Sequence, residues 1–357
     1  MGMSRAVQWY RVLVLISSSD LQPGTTSGRS TPAKRYHALD AAKGVGILLV
    51  VFGHAWRGVR DAGLLQDTAL FERVDAMIYA WHMPFFFFLS GLLILDVLER
   101  VELRRFLVSR VTRLLWPFVL WTWLFFGLKL VAGGAANHPV TLAEFPLIPL
   151  PPYEHLWFLW ALFLAQIVLA ICFVILRPLV GMTVLQLILG LAALSLAAII
   201  PYLVILSPTF GAAIEHFPYF IAGAAMGTLV MRRAPGWLAL VAAVVFGLLL
   251  FDPSYGKAGL LVAMTLCLLA CTVISWLDPQ RDAAPVAIRL LRYLGLYSLP
   301  IFLAHTVFSA AFRIGLLSQG VEDLPVHLVG ATVVGLAGPI VLARVSQHLG
   351  ASRLLGF

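Results

Sequence analysis

Long apolar stretches, separated by short polar breaks, dominate the pattern of this chain. The breaks carry proline, glycine or charge, as at Arg177-Pro178, Asp252-Pro253 and Asp278-Pro279, and residues of these types interrupt helices. Most of the stretches reach the roughly 20 residues with which an α-helix crosses about 30 Å of hydrocarbon. The pattern predicts about ten membrane-spanning helices, near 41–58, 76–97, 114–132, 156–176, 179–205, 209–231, 237–251, 258–277, 296–317 and 325–343.

Composition places the chain among membrane proteins. Hydrophobic residues make up 61% of the sequence and charged residues only 12%, and the mean hydropathy is +0.94. Soluble domains have a different composition, so we predict an all-α, polytopic membrane protein surrounded by lipid. The net charge is +8, which in a soluble domain would suggest nucleic-acid binding. In a membrane protein the distribution of basic residues between loops instead reports the topology.

The distribution of Lys and Arg predicts that both termini are cytoplasmic. Cytoplasmic loops carry an excess of these residues, and most of the 25 Lys and Arg residues fall on one side when the chain crosses an even number of times. The predicted outer segments contain only Arg57, Arg60, Arg73 and Lys257. A shift by one span would remove this asymmetry.

The ends of the chain differ from its apolar body. Ser, Thr, Gly and Pro over 17–32 are typical of disorder, and the apolar run over 12–16 is shorter than the core of a signal peptide. We predict a disordered cytoplasmic tail over 1–35, a ten-helix transmembrane domain over 36–345 and a short cytoplasmic tail over 346–357. A native start codon after residue 1 is an alternative explanation for the first segment.

Lys43 and His54 stand eleven positions apart in the first apolar stretch. On an α-helix this spacing returns a side chain to within about 20° of the same direction, about 16 Å further along the axis. Ionisable groups at membrane depth are costly and mark functional sites by default. The spacing therefore suits a long ligand that enters partway into the bilayer. The structural alternatives are snorkelling of Lys43 and a packing role for His54.

Small residues and cysteines indicate packing in other spans. Ser90-Gly91 is predicted to allow two helices to approach closely. Cys267 and Cys271 share a helix face, Cys172 lies in a separate apolar run, and their spacing matches neither a disulfide framework nor a zinc site. We therefore expect no bound metal.

Several passages occur together in a recognisable order. They are 39–44 (LDAAKG), 53–54 (GH), 82–91 (HMPFFFFLSG), 106–117 (FLVSRVTRLLWP), 156–159 (LWFL) and 293–305 (YLGLYSLPIFLAH). With these passages and the predicted ten spans, the chain resembles acyltransferase family 3 of integral membrane proteins, and especially its fucose 4-O-acetylase-like branch. Lys43 stands where the wider family commonly has Arg, and lysine keeps the charge but lacks the bidentate fork for phosphate.

The resemblance implies transfer of an acyl group, usually acetyl from cytoplasmic acetyl-CoA, to a hydroxyl of a sugar or glycoconjugate. Acyl-CoA would be a co-substrate, with no permanently bound cofactor, and the acceptor would be a carbohydrate or glycolipid. The expected location is a bacterial-type plasma (inner) membrane, with no nucleic-acid partner.

Roles for individual residues follow from the resemblance and from side-chain chemistry. His54 would act as the general base on the acceptor hydroxyl or accept the acyl group itself, and both roles stay open. His82 would orient the acceptor or share a proton, with packing as the alternative. Lys43, Arg110 and Arg113 would bind the phosphates of coenzyme A. Anchoring to anionic lipid is the alternative for the two arginines.

Candidates for acceptor binding lie on the predicted outer side and inside the bundle. Glu154, His155 and Trp157 end the longest outer connection and would contact sugar hydroxyls and an apolar sugar face. Glu215 needs a partner at membrane depth, for which Arg57 and Arg313 are candidates, and structural pairing is an alternative to a substrate role. His305 is an interior polar candidate in the ninth predicted span.

A secondary transporter or an exporter of polysaccharide or glycolipid precursors is the competing hypothesis. Buried ionisable residues such as Lys43, Glu215, His305 and Arg313 also suit substrate and proton sites near the membrane midplane. Transporters of this kind commonly carry internal repeats, and the sequence shows no convincing repeat. The matched passages favour the acyltransferase.

Overall fold

The computed structural model of the chain is predominantly helical, with short non-helical connections, over the residues that it describes, which are 36–136, 138–203, 207–232, 234–251, 259–277 and 284–357. The predicted disordered tail over 1–35 lies outside these residues. The α-helices are α1 His37–Asp61, α2 Thr68–Tyr79, α3 His82–Gly91, α4 Ile94–Arg100, α5 Leu103–Arg110, α6 Trp116–Ala132, α7 Trp157–Leu176, α8 Met182–Ile199, α9 Gly211–Met226, α10 Gly236–Phe251, α11 Gly259–Leu277, α12 Val286–Leu296, α13 Ser298–Leu317 and α14 Leu324–His348.

Short helical turns complete the description. A π-helical turn, Val111–Leu115, joins α5 to α6, and 3-10 turns occupy Gly133–Ala135, Leu142–Glu144, Glu154–Leu156, Ile200–Tyr202 and Gly227–Met231.

Eight helical stretches in the described part of the chain are long and apolar enough to cross a membrane. They are His37–Asp61, Thr68–Arg100, Leu103–Ala135, Glu154–Leu176, Met182–Tyr202, Gly259–Leu277, Ser298–Leu317 and Leu324–His348. The predicted all-α, polytopic membrane architecture is thereby confirmed. The predicted spans near 209–231 and 237–251 contain α9 and α10, each of 16 residues, so the count of ten and the location of the termini stay predictions.

The second predicted span is broken rather than continuous. Where the sequence predicted one helix over 76–97, α2 ends at Tyr79 and α3 begins at His82. Pro84 explains the break, because proline has no N–H to donate and its ring clashes with the carbonyl four residues earlier. The break places His82 at the start of a helix, where its side chain can face the centre of the bundle.

Helix α1 is central and carries both residues of the first motif. It packs against α3, α12, α13 and α14, and it runs without interruption through Lys43 and His54. Gly44 and Gly295 allow the crossing with α12, since a Cβ on Gly44 would overlap the carbonyl of Leu291. The eleven-residue spacing therefore lies on one helix, as the sequence predicted.

Helices α3 and α9 cross at a pair of glycines. A Cβ on Gly91 would overlap the carbonyl of Phe220, and a Cβ on Gly223 would overlap the carbonyl of Phe88. The predicted close approach at Gly91 is confirmed. Phe88 and Phe220 are fully buried beside the crossing, so the absent side chains let the backbones meet while aromatic rings fill the surrounding space.

The segment after α14 folds back onto α6. The indole N–H groups of Trp116 and Trp121 donate to the carbonyls of Leu354 and Leu355 over 3.1 and 2.9 Å, and the Phe357 side chain is buried. Residues 346–348 belong to α14, so only part of the predicted tail over 346–357 lies outside a helix.

The connection before α7 contains its own capped turn. The backbone N–H and the hydroxyl of Thr141 donate to the Glu144 carboxylate over 2.7 and 2.8 Å, and these hydrogen bonds lower the pKa of Glu144. The connection then leads into the turn Glu154–Leu156, which positions three of the predicted acceptor-binding residues.

Candidate active site

Three histidines that are distant in sequence meet in the centre of the fold. The ring centroids lie 5.0 Å apart for His54 and His305, 5.0 Å for His155 and His305, and 5.6 Å for His54 and His155. They come from α1, from the turn before α7 and from α13. The structure thus unites the predicted catalytic histidine with two residues predicted separately as substrate ligands.

Backbone carbonyls orient two of these rings. His155 Nε2 lies 3.1 Å from the carbonyl oxygen of Phe302, and His305 Nδ1 lies 2.9 Å from the carbonyls of Ile301 and Phe302. A carbonyl only accepts, so these ring nitrogens carry the protons. The opposite nitrogen of each neutral ring is then a lone-pair acceptor. For His305 this nitrogen is Nε2, which is buried and has no hydrogen-bond partner among the described residues.

His54 differs from its two neighbours in its hydrogen bonding. It contacts both rings, yet neither of its own ring nitrogens bonds to any residue that the structure describes. Both nitrogens therefore stay available to a substrate, which suits a base or a nucleophile. Within the described ranges, no group of three or more His, Cys, Asp or Glu side chains is arranged to hold a metal ion.

A cavity of about 190 Å³ opens beside His54. It brings together five residues predicted from the sequence: both catalytic candidates, His54 and His82, and three acceptor-binding candidates, Glu154, His155 and Trp157. Its remaining walls are Val50, Arg57, Tyr79, Met83 and Phe302. His305, 0% exposed, lies behind His54 and His155 rather than in the wall.

His82 is held in the cavity wall by its own helix junction. Its Nδ1–H donates to the carbonyl of Ile78 over 2.8 Å, and its ring meets the Tyr79 ring edge-on, with centroids 4.5 Å apart. The ring is almost fully buried. Its Nε2 is then the acceptor of the neutral imidazole, available to a hydroxyl proton in the cavity.

Glu154 and Trp157 form the part of the wall nearest the connection that precedes α7. Glu154 forms an ion pair with Lys129 of α6, and its backbone adopts the left-handed region with φ +50°, which is uncommon for a residue with a side chain. Trp157 contacts the rings of Phe87 and His216, with centroids 6.3 and 5.0 Å away. The sequence did not identify Lys129 as the partner of Glu154.

Glu215 does not join this site. Its side chain is exposed, and it is not among the cavity-lining residues. Of its two candidate partners, Arg57 instead binds Asp75 through Nε and Nη2 over 2.6 and 2.7 Å. Asp75 lies on α2, whose packing against α1 brings the carboxylate to the guanidinium.

The predicted coenzyme-binding cations lie away from the cavity. Arg110, 3% exposed, donates to the Gln166 amide oxygen over 3.1 Å and to the Ser109 hydroxyl over 2.9 Å. Gln166 lies on α7, eleven residues after His155 in the preceding turn, and eleven residues of helix span about 16 Å. Lys43 also precedes His54 by eleven residues. Lys43 and Arg110 are therefore separated from the histidines by about half the thickness of the hydrocarbon core.

Arg113 lies in the π-helical turn after Arg110 and is half-buried. A π-helical turn alters the rotation per residue, and such turns are frequent at functional sites. The structure therefore places the two predicted arginines at one junction between α5 and α6, outside the cavity around His54.

Comparison with known proteins identifies relatives of the chain. A family model described as an acyltransferase domain, that of acyltransferase family 3, matches residues 36–344. The chain is similar to the nodulation protein NolL of Mesorhizobium japonicum, with 28% identity over 160 residues that cover 43% of this chain and 40% of that protein. The match therefore spans less than half of the relative's length. No solved structure matches the chain.

Proposed function

Because the chain belongs to acyltransferase family 3, we propose that it transfers an acetyl or other short acyl group from cytoplasmic acyl-CoA to a hydroxyl of a sugar or glycoconjugate. Family membership itself establishes a membrane acyltransferase with an acyl donor and an acceptor. The acyl-CoA donor, the carbohydrate acceptor and a bacterial inner-membrane location belong to the proposal. So does the fucose 4-O-acetylase-like branch.

The single observation that carries the proposal is His54 in the wall of a cavity that it shares with His82 and His155. Acyl transfer to an alcohol needs a group that removes the hydroxyl proton and later protonates the leaving thiolate. A neutral imidazole does both. It also accepts an acyl group directly, and the available nitrogens of His54 suit either route.

The acyl donor would reach this cavity from the other end of α1. Lys43, Arg110 and Arg113 lie toward the predicted cytoplasmic side, where charge-assisted hydrogen bonds hold phosphates. About 16 Å of helix separates Lys43 from His54, and a pantetheine arm is long enough to bridge such a distance. The head of coenzyme A thereby stays at the membrane face while the thioester reaches the histidines.

The acceptor would enter from the predicted outer side. Glu154, His155 and Trp157 line the cavity near the connection that precedes α7, and they combine hydrogen-bonding groups with an aromatic face. A sugar offers hydroxyls and an apolar ring face, so this set matches its surface. His82 lies in the same wall and would orient the reacting hydroxyl.

Membranes that contain the chain offer a direct test. We expect them to move label from radiolabelled acetyl-CoA to one or more of a panel of glycans, and membranes without the chain to leave the glycans unlabelled. Acetyl-CoA-independent uptake of glycan or glycolipid into proteoliposomes, without labelled product, would contradict the proposal and favour the transporter.

Arg110→Lys tests the donor end of the proposal. The substitution keeps the charge but removes the planar fork, so we expect the KM for acetyl-CoA to rise about 10-fold, in line with the loss of one charged hydrogen bond. The matched control is Arg104→Lys on the same helix, an exposed arginine for which we expect no change. An unchanged KM for acetyl-CoA in Arg110→Lys would show that Arg110 does not bind the coenzyme.

A further inference from the structure

Arg57 and Tyr79 line part of the cavity, and the proposed acyl transfer has so far given neither residue a role. Both line the cavity with His54, and Arg57 follows His54 by three residues on α1, so the two lie on one helix face. Asp75 binds Arg57 in a bidentate ion pair over 2.6 and 2.7 Å. This pair uses Nε and Nη2, which leaves Nη1 outside it.

The guanidinium of Arg57 also lies on the face of Tyr79. Its Cζ atom is 3.3 Å from the centroid of the Tyr79 ring. The Tyr79 ring also meets the His82 ring edge-on, with the two ring centroids 4.5 Å apart. Stacking and ion pairing together fix both side chains before any ligand binds. Donors fixed in this way need no reorganisation during a reaction.

The hydroxyl of Tyr79 is the unexplained part of this arrangement. It is buried and has no hydrogen-bond partner among the described residues, a state that is unfavourable and uncommon. It lies beside the residue before His54, since a Cβ on Gly53 would be 3.7 Å from the hydroxyl oxygen. A ligand oxygen that bound here would supply the absent partner.

The geometry points to Tyr79 Oη and Arg57 Nη1 as the hydrogen-bond donors that hold the carbonyl oxygen of the acyl group during transfer. This inference rests on the proposed acyl transfer and assigns to it two catalytic residues. Acyl transfer places negative charge on that oxygen in the transition state, and donors aimed at it in a site with little water contribute strongly to the rate.

The step balances with the groups at hand. The acceptor hydroxyl gives its proton to His54, and its oxygen forms a bond to the carbonyl carbon of the thioester. The carbonyl electron pair moves onto the oxygen held by Tyr79 and Arg57. When the pair returns, the carbon–sulfur bond breaks and His54 protonates the departing thiolate, which leaves an ester and free coenzyme A.

Tyr79→Phe tests the assignment while keeping the ring against Arg57 and His82. We expect the single-turnover rate of acetyl transfer to fall about 100-fold, as when one such donor is removed. The Kd of desulfo-coenzyme A, a non-reacting analogue of the donor, should stay within twofold of wild type. A rate defect without a binding defect separates a catalytic hydroxyl from a structural one.

Tyr153→Phe is the matched control. Tyr153 also has a buried hydroxyl without a hydrogen-bond partner in the described part of the chain, but it does not line the cavity, so its rate should equal that of wild type. A wild-type rate in Tyr79→Phe, or an equal loss in both variants, overturns the assignment while the proposed function stands. Absence of transfer in wild type itself overturns both.

Discussion

His54→Ala is expected to slow acyl transfer by about 10²–10⁴-fold, the usual contribution of a general base. His54 is the histidine of the cluster whose ring nitrogens bond to no described residue, whereas backbone carbonyls occupy one nitrogen of His155 and one of His305. His305 does not line the cavity, and the carbonyl of Phe302 fixes the orientation of the His155 ring, so we expect neither neighbour to replace His54. Loss of the imidazole removes the proposed base from the cavity wall.

The measurement is label transfer from radiolabelled acetyl-CoA to glycan under single-turnover conditions, with the binding of desulfo-coenzyme A measured in parallel. Binding should stay near wild type, because Arg110, a predicted phosphate contact, hydrogen-bonds to Gln166 of α7 and lies far from the cluster. His348→Ala is the control, since His348 lies exposed in the last turn of α14. Undiminished acyl transfer by His54→Ala would show that His54 takes no part in the reaction.

Gly223→Ala is expected to destabilise the protein by about 3 kcal/mol, at the upper end of the usual penalty for an overpacked site. The added Cβ would overlap the carbonyl of Phe88 on α3. Backbone atoms cannot swing aside as a flexible side chain does, so α3 and α9 would have to separate. Such a separation would also move His82, which begins α3, and would lower activity.

Gly127→Ala provides the matched comparison. Nothing lies within 4 Å of a Cβ built on Gly127 in α6, and alanine stabilises a helix interior relative to glycine by about 0.5–1 kcal/mol. Thermal unfolding in detergent should therefore show a lower Tm for Gly223→Ala and an equal or higher Tm for Gly127→Ala. Equal Tm values for wild type and Gly223→Ala would mean that α3 and α9 do not cross as described.

The helical architecture and half of the residues that line the cavity were predictable from the sequence, because both leave local signals. Apolar runs of sufficient length identified the long helices, and the eleven-residue spacing placed Lys43 and His54 on one helix. His54, His82, Glu154, His155 and Trp157 were each singled out by chemistry or motif, and they line one cavity. Small residues at 90–91 correctly indicated a helix crossing.

Other features depend on contacts between distant segments and leave no local signal. Nothing in the sequence around Asp75 identifies its partner. Asp75 lies on α2, and its carboxylate forms an ion pair with Arg57 because the break before Pro84 allows α2 to pack against α1. Gln166 lies within an apolar run, and its contact with Arg110 spans 56 positions. The π-helical turn at Val111–Leu115 arises within a stretch whose composition is that of a regular helix.

Transfer across the membrane tests whether the cavity around His54 joins an acyl donor on one side to an acceptor on the other. Purified chain in proteoliposomes of determined orientation would receive radiolabelled acetyl-CoA on the side of Lys43 and Arg110, with glycan on the side of Glu154 and Trp157. We expect labelled glycan on the far side from wild type and almost none from His54→Ala. Label transferred equally by both proteins, or only to acceptors on the same side as acetyl-CoA, would contradict it.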